Sequence, residues 1–540
     1  MFRNDTRVLS HWILEIGGVR PSLLSGAISH DNVLFTAHLT NEPLPPMGGK
    51  STPAGVIHVQ RMRVLWDDRM YEQVQVHNFE DTDLTVLVRL RFGADFRDIF
   101  EVRGMKRSKR GELLPAEIDS DHARLGYLGL DGVVRRTVIS FSGKTIALNA
   151  QRADFEFALP RLGSASLYIE VGDEYFPPSR ARYRAAAAAA RATMRHRRQR
   201  GAHLKSNARL FNDWLDRSRA DIALLVADLP TGPYPYAGIP WFSTPFGRDG
   251  LITALQTLWV DPSLARGVLG YLSSHQATET SAFRDSAPGK IMHETRAGEM
   301  AALGEVPFGR YYGGVDSTPL FVMLAGAYAD RTADFEFIDR LWTSLQAAMS
   351  WIETTCDMNK HGFLAYAPSA TGGLVNQGWK DSNDSIFHAN GDIPRGPIAL
   401  IEVQGYVYAA LRAMARLADR RGETASAGRW RARSVAMRHA VEEWFWDDQL
   451  ANYGIARDGD DSLCRVRASN VGHLLYTGLP RRRRARQVIR QLCTAAFDGG
   501  WGIRTLAHPQ ARFNPMSYHD GSVWPHDVAM SAAGMAHYGE

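Results

Sequence analysis

Most of the residues in this chain that could do chemistry fall in a few polar, aromatic stretches. These are PWFSTPFGRDG (240–250), GKIMHETRAGEM (289–300), YYGGVDSTPLF (311–321), NQGWKDS (376–382) and YHDGSVWPHD (518–527). Together they mix Trp, Tyr, Asp, Glu, Arg and His, which is the mixture sugars need. Aromatic faces cover the apolar C–H side of a pyranose, and carboxylates and Arg form paired hydrogen bonds to neighbouring hydroxyls. Cleaving a glycosidic bond requires two carboxyl groups, one to protonate the leaving oxygen and one to activate water or to attack.

Each stretch also has a plainer reading. Asp316 stands immediately before a helical run, where it suits an N-cap, with Pro319 in the first turn. Asp249 suits a first-turn dipole contact, with Arg248 packed on it. Trp241 and Phe242 precede that pair and suit a stacking wall. His293, Glu294, Arg296 and Glu299 read as a loop ion-pair network. They are not a zinc-protease motif, because the second histidine is absent, and GRDG lacks the spacing and lysine of a phosphate loop. A turn explains the Asn, Gly and Asp around Gln377, Trp379, Lys380 and Asp381, but not the adjacent Trp and Lys. Glu402 lies in an apolar helical face and needs a partner. Tyr518, His519, Trp524, His526 and Asp527 crowd the last stretch.

Two kinds of element must position these residues. Residues 1–178 alternate apolar and polar side chains in VLSHWILEI, AGVIHVQRMRVLW, YEQVQVHNF, LTVLVRLRF, FEFAL and SASLYIEV, which predicts an antiparallel β-sandwich. Pro177 and Pro178 end the last strand. An Ala- and Arg-rich linker, 179–204, is expected to be helical over 180–198. From 205 to 540 the three- and four-residue apolar spacing predicts helices at 206–228, 248–260, 262–275, 317–330, 334–356, 398–418, 423–446, 469–477, 484–497 and 523–538. The functional-looking stretches fall mainly in the loops between them.

The chain has 540 residues, 45% hydrophobic and 22% charged, which fits two or three soluble domains. It has no run of 18 apolar residues and no basic segment leading into an apolar one, so neither a membrane span nor a signal peptide is expected. Three cysteines, Cys356, Cys464 and Cys493, do not suit a disulfide framework, and a cytoplasmic setting is expected. The net charge of +5 gathers at 181–200 and 481–486. These blocks read as solvated arginine-rich helix faces, because no stacking aromatics interleave with them and no specific nucleic-acid partner is expected.

Beyond these readings, the chain resembles the bacterial glycogen-debranching-like (amylo-α-1,6-glucosidase) family. The matching stretches are DTRVLS, VIHVQRMRVLW and ADFRDIFEVRG in the sandwich. In the helical part they are PWFSTPFGRDG, GKIMHETRAGEMA, YYGGVDSTPLF, NQGWKDS, IALIEVQGY and YHDGSVWPHD. The resemblance implies an N-terminal β-sandwich followed by an (α/α)6 barrel. It implies that Asp316 is the general acid; apart from the resemblance, Tyr311 and Tyr312 suit apolar walls beside it, with a neighbouring carboxylate as the alternative. Substrate binding would fall to Trp241, Phe242, Arg248, Asp249, His293, Glu294, Tyr311, Tyr312, Trp379, Lys380, Glu402, Tyr518, His519, Trp524 and His526, with Asp381 orienting Lys380. The implied activity is that of an exo-acting, inverting α-glucosidase on oligosaccharides, with no metal and no organic cofactor.

In the family the general base is a glutamate in a loop after the YHxGSVWPH helix. Glu540 is too close to that motif to take its place. A six-hairpin barrel has twelve helices against the ten predicted here, so the barrel is expected to lack its last pair and the activity of the chain to suffer. Two other readings stand beside this one: a non-catalytic carbohydrate-binding or scaffold protein, and a glycosidase for another α-glucoside such as sucrose, trehalose or glucosylglycerate.

Overall fold

The computed structural model describes residues 1–47, 50–370 and 372–540, with no account of the side chains of 45–47 and 50. The chain divides into two compact units. The first is Met1–Leu225 together with Arg296–Glu305, and the second is Val226–Thr295 together with Val306–Glu540.

The first unit is built from twelve main strands: β1 His11–Ile16, β2 Ser22–Ile28, β3 Leu34–Thr40, β4 Ile57–Trp66, β5 Arg69–Asn78, β6 Leu84–Gly93, β7 Glu112–Ile118, β8 His122–Leu128, β9 Val134–Phe141, β10 Ala147–Leu148, β11 Arg152–Leu159 and β12 Ser164–Gly172. They form an eight-stranded sheet in the order β7-β8-β9-β12-β5-β4-β3-β2 and a four-stranded sheet in the order β10-β11-β6-β1, with antiparallel pairing throughout. The alternation seen in the sequence sets the register. In β4 and β5, Val59 stands opposite Val76, and both are fully buried. With Val86, Val88, Phe92, Phe141, Phe155 and Ile169 they make one apolar core. This is a sandwich.

Helix α1, Arg180–Arg198, starts at Ser179, whose side chain accepts from the Arg182 amide at 3.2 Å. Its alanines let it lie close to the outer face of the larger sheet. Ala186, Ala187, Ala190 and Met194 pack there with Val64 and Tyr71. Helix α2, Arg209–Leu225, also falls in the first unit, with Ala223 in the same apolar cluster. The sequence reading opened the helical domain at 205, whereas the second compact unit opens at Val226. The difference arises because α2 spends its buried face on α1.

The second unit holds α3 Gly247–Thr257, α4 Pro262–Ser274, α5 Ser317–Thr332, α6 Phe335–Asp357, α7 Ile401–Arg420, α8 Thr424–Trp444, α9 Asn470–Tyr476, α10 Arg482–Leu492 and α11 Pro525–His537. With α2, these cover every one of the ten segments expected from periodicity. Helices α3, α5, α7, α9 and α11 pack side by side in a ring, and α4, α6, α8 and α10 back them from outside. The central member of the ring, α5, is buried continuously from Ser317 to Gly326. An outer helix returns the chain each time, so the inner helices run in one direction and their N-termini gather at one end. Among the described residues no helix is long and apolar enough to cross a membrane.

Candidate active site

Each inner helix brings a polar side chain to that common end: Arg248 in α3, Asp316 just before α5, Glu402 in α7, Asn470 in α9 and Asp527 in α11. Asp316 holds the N-cap position, yet its side chain makes no capping hydrogen bond. It turns to Arg248 instead. Arg248 Nη1 donates to Asp316 Oδ2 at 3.1 Å and to the Gly378 carbonyl at 2.8 Å, and Nη2 donates to Asp381 Oδ2 at 3.1 Å. Asp316 is 1% exposed, and its Oδ1 has no hydrogen-bond partner.

Beside this triad runs a chain of rings. Phe242 meets Phe246 at 5.7 Å between centroids, Phe246 meets His293 at 5.7 Å, and His293 meets Tyr311 at 5.9 Å, each edge to face. Short bridges align the backbone here: Glu294 pairs with both Phe246 and Tyr311. Gly247 is required at this junction, because a Cβ there would stand 1.9 Å from the Met292 carbonyl oxygen. Gly314 leaves room between two candidates, since a Cβ would fall 3.1 Å from His293 Nδ1 and 3.5 Å from Asp316 Oδ1.

A second aromatic group follows Gly378. Trp379 lies flat on His473 (5.4 Å, 5°) and meets His519, Trp524 and His526 edge to face at 5.6, 6.2 and 4.9 Å. Tyr518 packs on His519 and Trp524 while remaining 55% exposed. The carbonyl of Gly378, accepting from Arg248, links the two groups directly.

Residues 1–170 match the family described as the N-terminal domain of (some) glycogen debranching enzymes, and residues 248–540 match the mannosylglycerate hydrolase MGH1-like glycoside hydrolase domain. The second match covers more than half of the chain. The chain belongs to the MGH1-like glycoside hydrolases. Among solved structures, a protein described as a putative kojibiose phosphorylase from the human microbiome superposes with a TM-score of 0.53 at 8% identity, over 90% of this chain and 70% of that one. This likeness carries the fold alone, a β-sandwich and a toroid of the (α/α)6 kind, of which the described residues of the second unit form five inner helices and four outer ones. A GH63 mannosylglycerate hydrolase from Thermus thermophilus, solved with Tris, is 15% identical over 57% of this chain and 84% of its own, with a TM-score of 0.43. No curated protein matches the chain by sequence.

In the MGH1-like domain burial and charge tune the polar groups in opposite directions. Burial alone would lower the Arg248 guanidinium, but Asp316, Asp381 and Asp249 together carry it above its ordinary value. Burial raises Asp381, with Arg248 pulling the other way, and burial raises Asp249 likewise. Lys380 is pushed down to about 8 by burial, against the pull of Asp527 and Glu402. Its ammonium donates to the Thr505 carbonyl at 2.5 Å. Asp381 was expected to orient Lys380, but it binds Arg248 instead. Burial, with Lys380 and Arg248 nearby, pushes His519 down to about 3, and burial with His473 pushes His526 to about 4. Both rings are therefore neutral near pH 7, and Ser382 Oγ sits 2.8 Å from His519 Nδ1.

Some candidates stand apart from the triad. The Tyr312 hydroxyl donates to the His275 carbonyl at 2.8 Å. The Tyr311 hydroxyl accepts from the Leu374 amide at 2.9 Å and turns toward Asp285, leaving its ring edge to His293. Arg296 and Glu299 belong to the first unit, where Arg296 pairs with Asp5 at 3.0 Å. Glu299 there accepts from Arg107 at 3.1 Å, from the Tyr127 hydroxyl at 2.8 Å and from the Leu130 amide at 2.7 Å. Glu402 is 1% exposed, burial raises its carboxyl, and neither oxygen has a well-formed hydrogen bond.

Sequence reasoning missed two polar arrangements. Asp285 accepts from Gln377 Nε2 at 2.8 Å, from Ser369 Oγ at 2.7 Å and from the Tyr311 hydroxyl at 3.4 Å. Behind Trp379, His473 joins the Tyr406 hydroxyl (2.5 Å) to Asp527 (2.9 Å), and all three are buried. Burial alone would raise Asp527, yet the bond from His473 holds it below its ordinary value. Among the described residues no cluster of His, Cys, Asp or Glu is arranged to hold a metal ion.

Proposed function

We propose that the protein is an exo-acting, inverting α-glucosidase of the amylo-α-1,6-glucosidase kind, acting on short α-glucosides. The observation that carries this reading is the half-engaged carboxyl of Asp316, with Arg248 on one oxygen and the other oxygen buried and unpartnered. In the proposed reaction Asp316 gives its proton to the leaving glycosidic oxygen as the C–O bond breaks. A water, deprotonated by a second carboxylate, attacks the anomeric carbon from the opposite face, and the configuration inverts. Arg248 and Asp381 suit the hydroxyls of the terminal sugar as a donor and acceptor pair. Trp379 and Trp524 suit stacking against its C–H face.

No described carboxylate is assigned as the base. Asp527 is locked on His473, and Glu402 is buried with its charged form disfavoured. Three unpaired thiols, one of them exposed, suit a reducing cytoplasmic setting.

The experiment is incubation of the chain with isomaltose, panose, maltose, sucrose, trehalose and glucosylglycerate, with the anomer of released glucose read by NMR. Release of β-glucose first from the α-1,6-linked substrates is expected. Release of α-glucose overturns inversion. Preference for another glucoside reassigns the substrate. Appearance of a sugar phosphate only when inorganic phosphate is added marks a phosphorylase. Calorimetric sugar binding without any turnover marks a carbohydrate-binding protein.

A further inference from the structure

One concavity of the second unit lies away from the site loops. Its volume is about 530 Å³, and its walls come from α7, α8 and the residue that opens α10. Arg412, in its α7 wall, follows Glu402 by ten residues, about 15 Å along the helix axis. The charged side chains that line it are Arg412, Arg416, Arg431, Arg438, Arg481 and His439, with no Asp or Glu among them.

Two of these charges are answered outside the cavity. Arg416 pairs with Asp330 at 2.8 Å, and Arg431 pairs with Asp419. The other three arginines have no carboxylate partner among the described residues. Arg438 donates Nε to the Leu479 carbonyl and Nη2 to the Gly478 carbonyl, both at 3.0 Å, and also reaches the Tyr408 hydroxyl. Arg412 Nη1 lies 3.5 Å from that same hydroxyl. The two guanidiniums also share the Tyr408 ring, at 4.8 and 5.6 Å from its centroid. Arg481 Nη2 stands 3.5 Å from His439 Nδ1.

Free surface arginines separate, because like charges repel and long side chains gain entropy by spreading. Here Tyr408 and two backbone carbonyls hold guanidiniums together around a concave space, with only neutral acceptors between them. A guanidinium fork matches the oxygens of a phosphate group, and the volume lies within the range of small-molecule sites.

We propose that this cavity binds a phosphate-bearing small molecule, with its phosphate held by Arg412, Arg438 and Arg481. The site is separate from the sugar pocket, and the proposal does not rest on the glycosidase reading.

The test is calorimetric titration of the full chain with glucose 6-phosphate, a nucleoside triphosphate and inorganic phosphate. It is repeated on the double variant Arg412→Ala/Arg481→Ala and on Asp316→Asn. Both arginines are exposed, so the double variant is expected to fold, and circular dichroism checks that it does. The expected result is binding of at least one phosphate ester more tightly than inorganic phosphate. The affinity weakens by about tenfold or more in the double variant, as lost charge-assisted bonds require, and is unchanged in Asp316→Asn. An unchanged affinity in the double variant overturns the proposal, as does an equal loss in Asp316→Asn. Absence of binding by all three probes overturns it too, and so does tighter binding of duplex DNA or RNA through the same arginines.

Discussion

Arg248 holds Oδ2 of Asp316 at 3.1 Å and leaves Oδ1, buried, without a partner. One oxygen is thus fixed in space while the other faces no protein group. Replacing Asp316 by Asn keeps the shape and the bond to Arg248 but removes the transferable proton. The turnover rate should fall by about 10²–10⁴, with little change in thermal stability. An undiminished rate would exclude Asp316 as the acid.

Arg248→Lys should be more harmful than its retained charge suggests. The guanidinium serves Asp316, Asp381 and the Gly378 carbonyl at once, and a single ammonium cannot span all three. Both kcat/KM and stability are expected to drop, the latter by about 3 kcal/mol because one ammonium reaches only one of the two carboxylates and leaves the other without its partner. A variant that keeps wild-type kcat/KM and unfolding free energy would show that the fork is dispensable.

Glu402→Gln separates a structural carboxyl from a chemical one. Burial disfavours the charge on Glu402, and no well-formed hydrogen bond repays it. The substitution should raise stability by about 1 kcal/mol in chemical denaturation and leave turnover within about threefold. A collapse in turnover would instead make Glu402 a participant in the reaction.

Asp285→Asn tests the support beneath the pocket. An amide presents one acceptor and one donor to a site that offers donors from Gln377, Ser369 and Tyr311. The mismatch should cost about 1–3 kcal/mol of stability and raise KM through the neighbouring NQGWKDS loop. An unchanged melting temperature would show that the three bonds contribute nothing.

Acid should cost the chain stability through His519. Burial, with Lys380 and Arg248, pushes His519 from 6.5 down to about 3, so between those values the unfolded chain binds a proton that the folded chain refuses. Stability from this residue is present above pH 6.5 and is lost as pH falls toward 3, by up to about 1.4 kcal/mol per pH unit. His519→Gln should flatten that slope in a series of melting curves. A slope equal to wild type would place the acid sensitivity elsewhere.

The elements were legible because their periods are local. The alternation in VIHVQRMRVLW and the helical spacing in LIEVQGYVYAALRAMARLA each identify the right structure from a short window. The motifs around Asp316, Arg248 and Trp379 were legible because loops dense in Trp, Asp and Arg have few structural explanations. What stayed hidden depended on distant partners. Asp285 sits in an unremarkable SAFRDSAP stretch and meets Gln377 only through the fold. His473 lies among leucines in VGHLLY, where nothing signals that Asp527 and Tyr406 will close on its two nitrogens. The position of α2 was equally hidden, since amphipathicity reports that a face is buried but not against which neighbour.

The short segment Arg296–Glu305 interrupts the second unit in sequence while belonging to the first by its contacts. No single cut therefore separates the molecule into two autonomous fragments. A piece beginning at Val226 would carry Arg296 without Asp5, and Glu299 without Arg107 and Tyr127. The chain is stitched rather than strung, and one stitch emerges at Thr295, directly beside Glu294 and His293. Fraying of the sandwich would then reach the stretch that carries His293 and Glu294 through the backbone itself, as a tug on a thread reaches the next stitch.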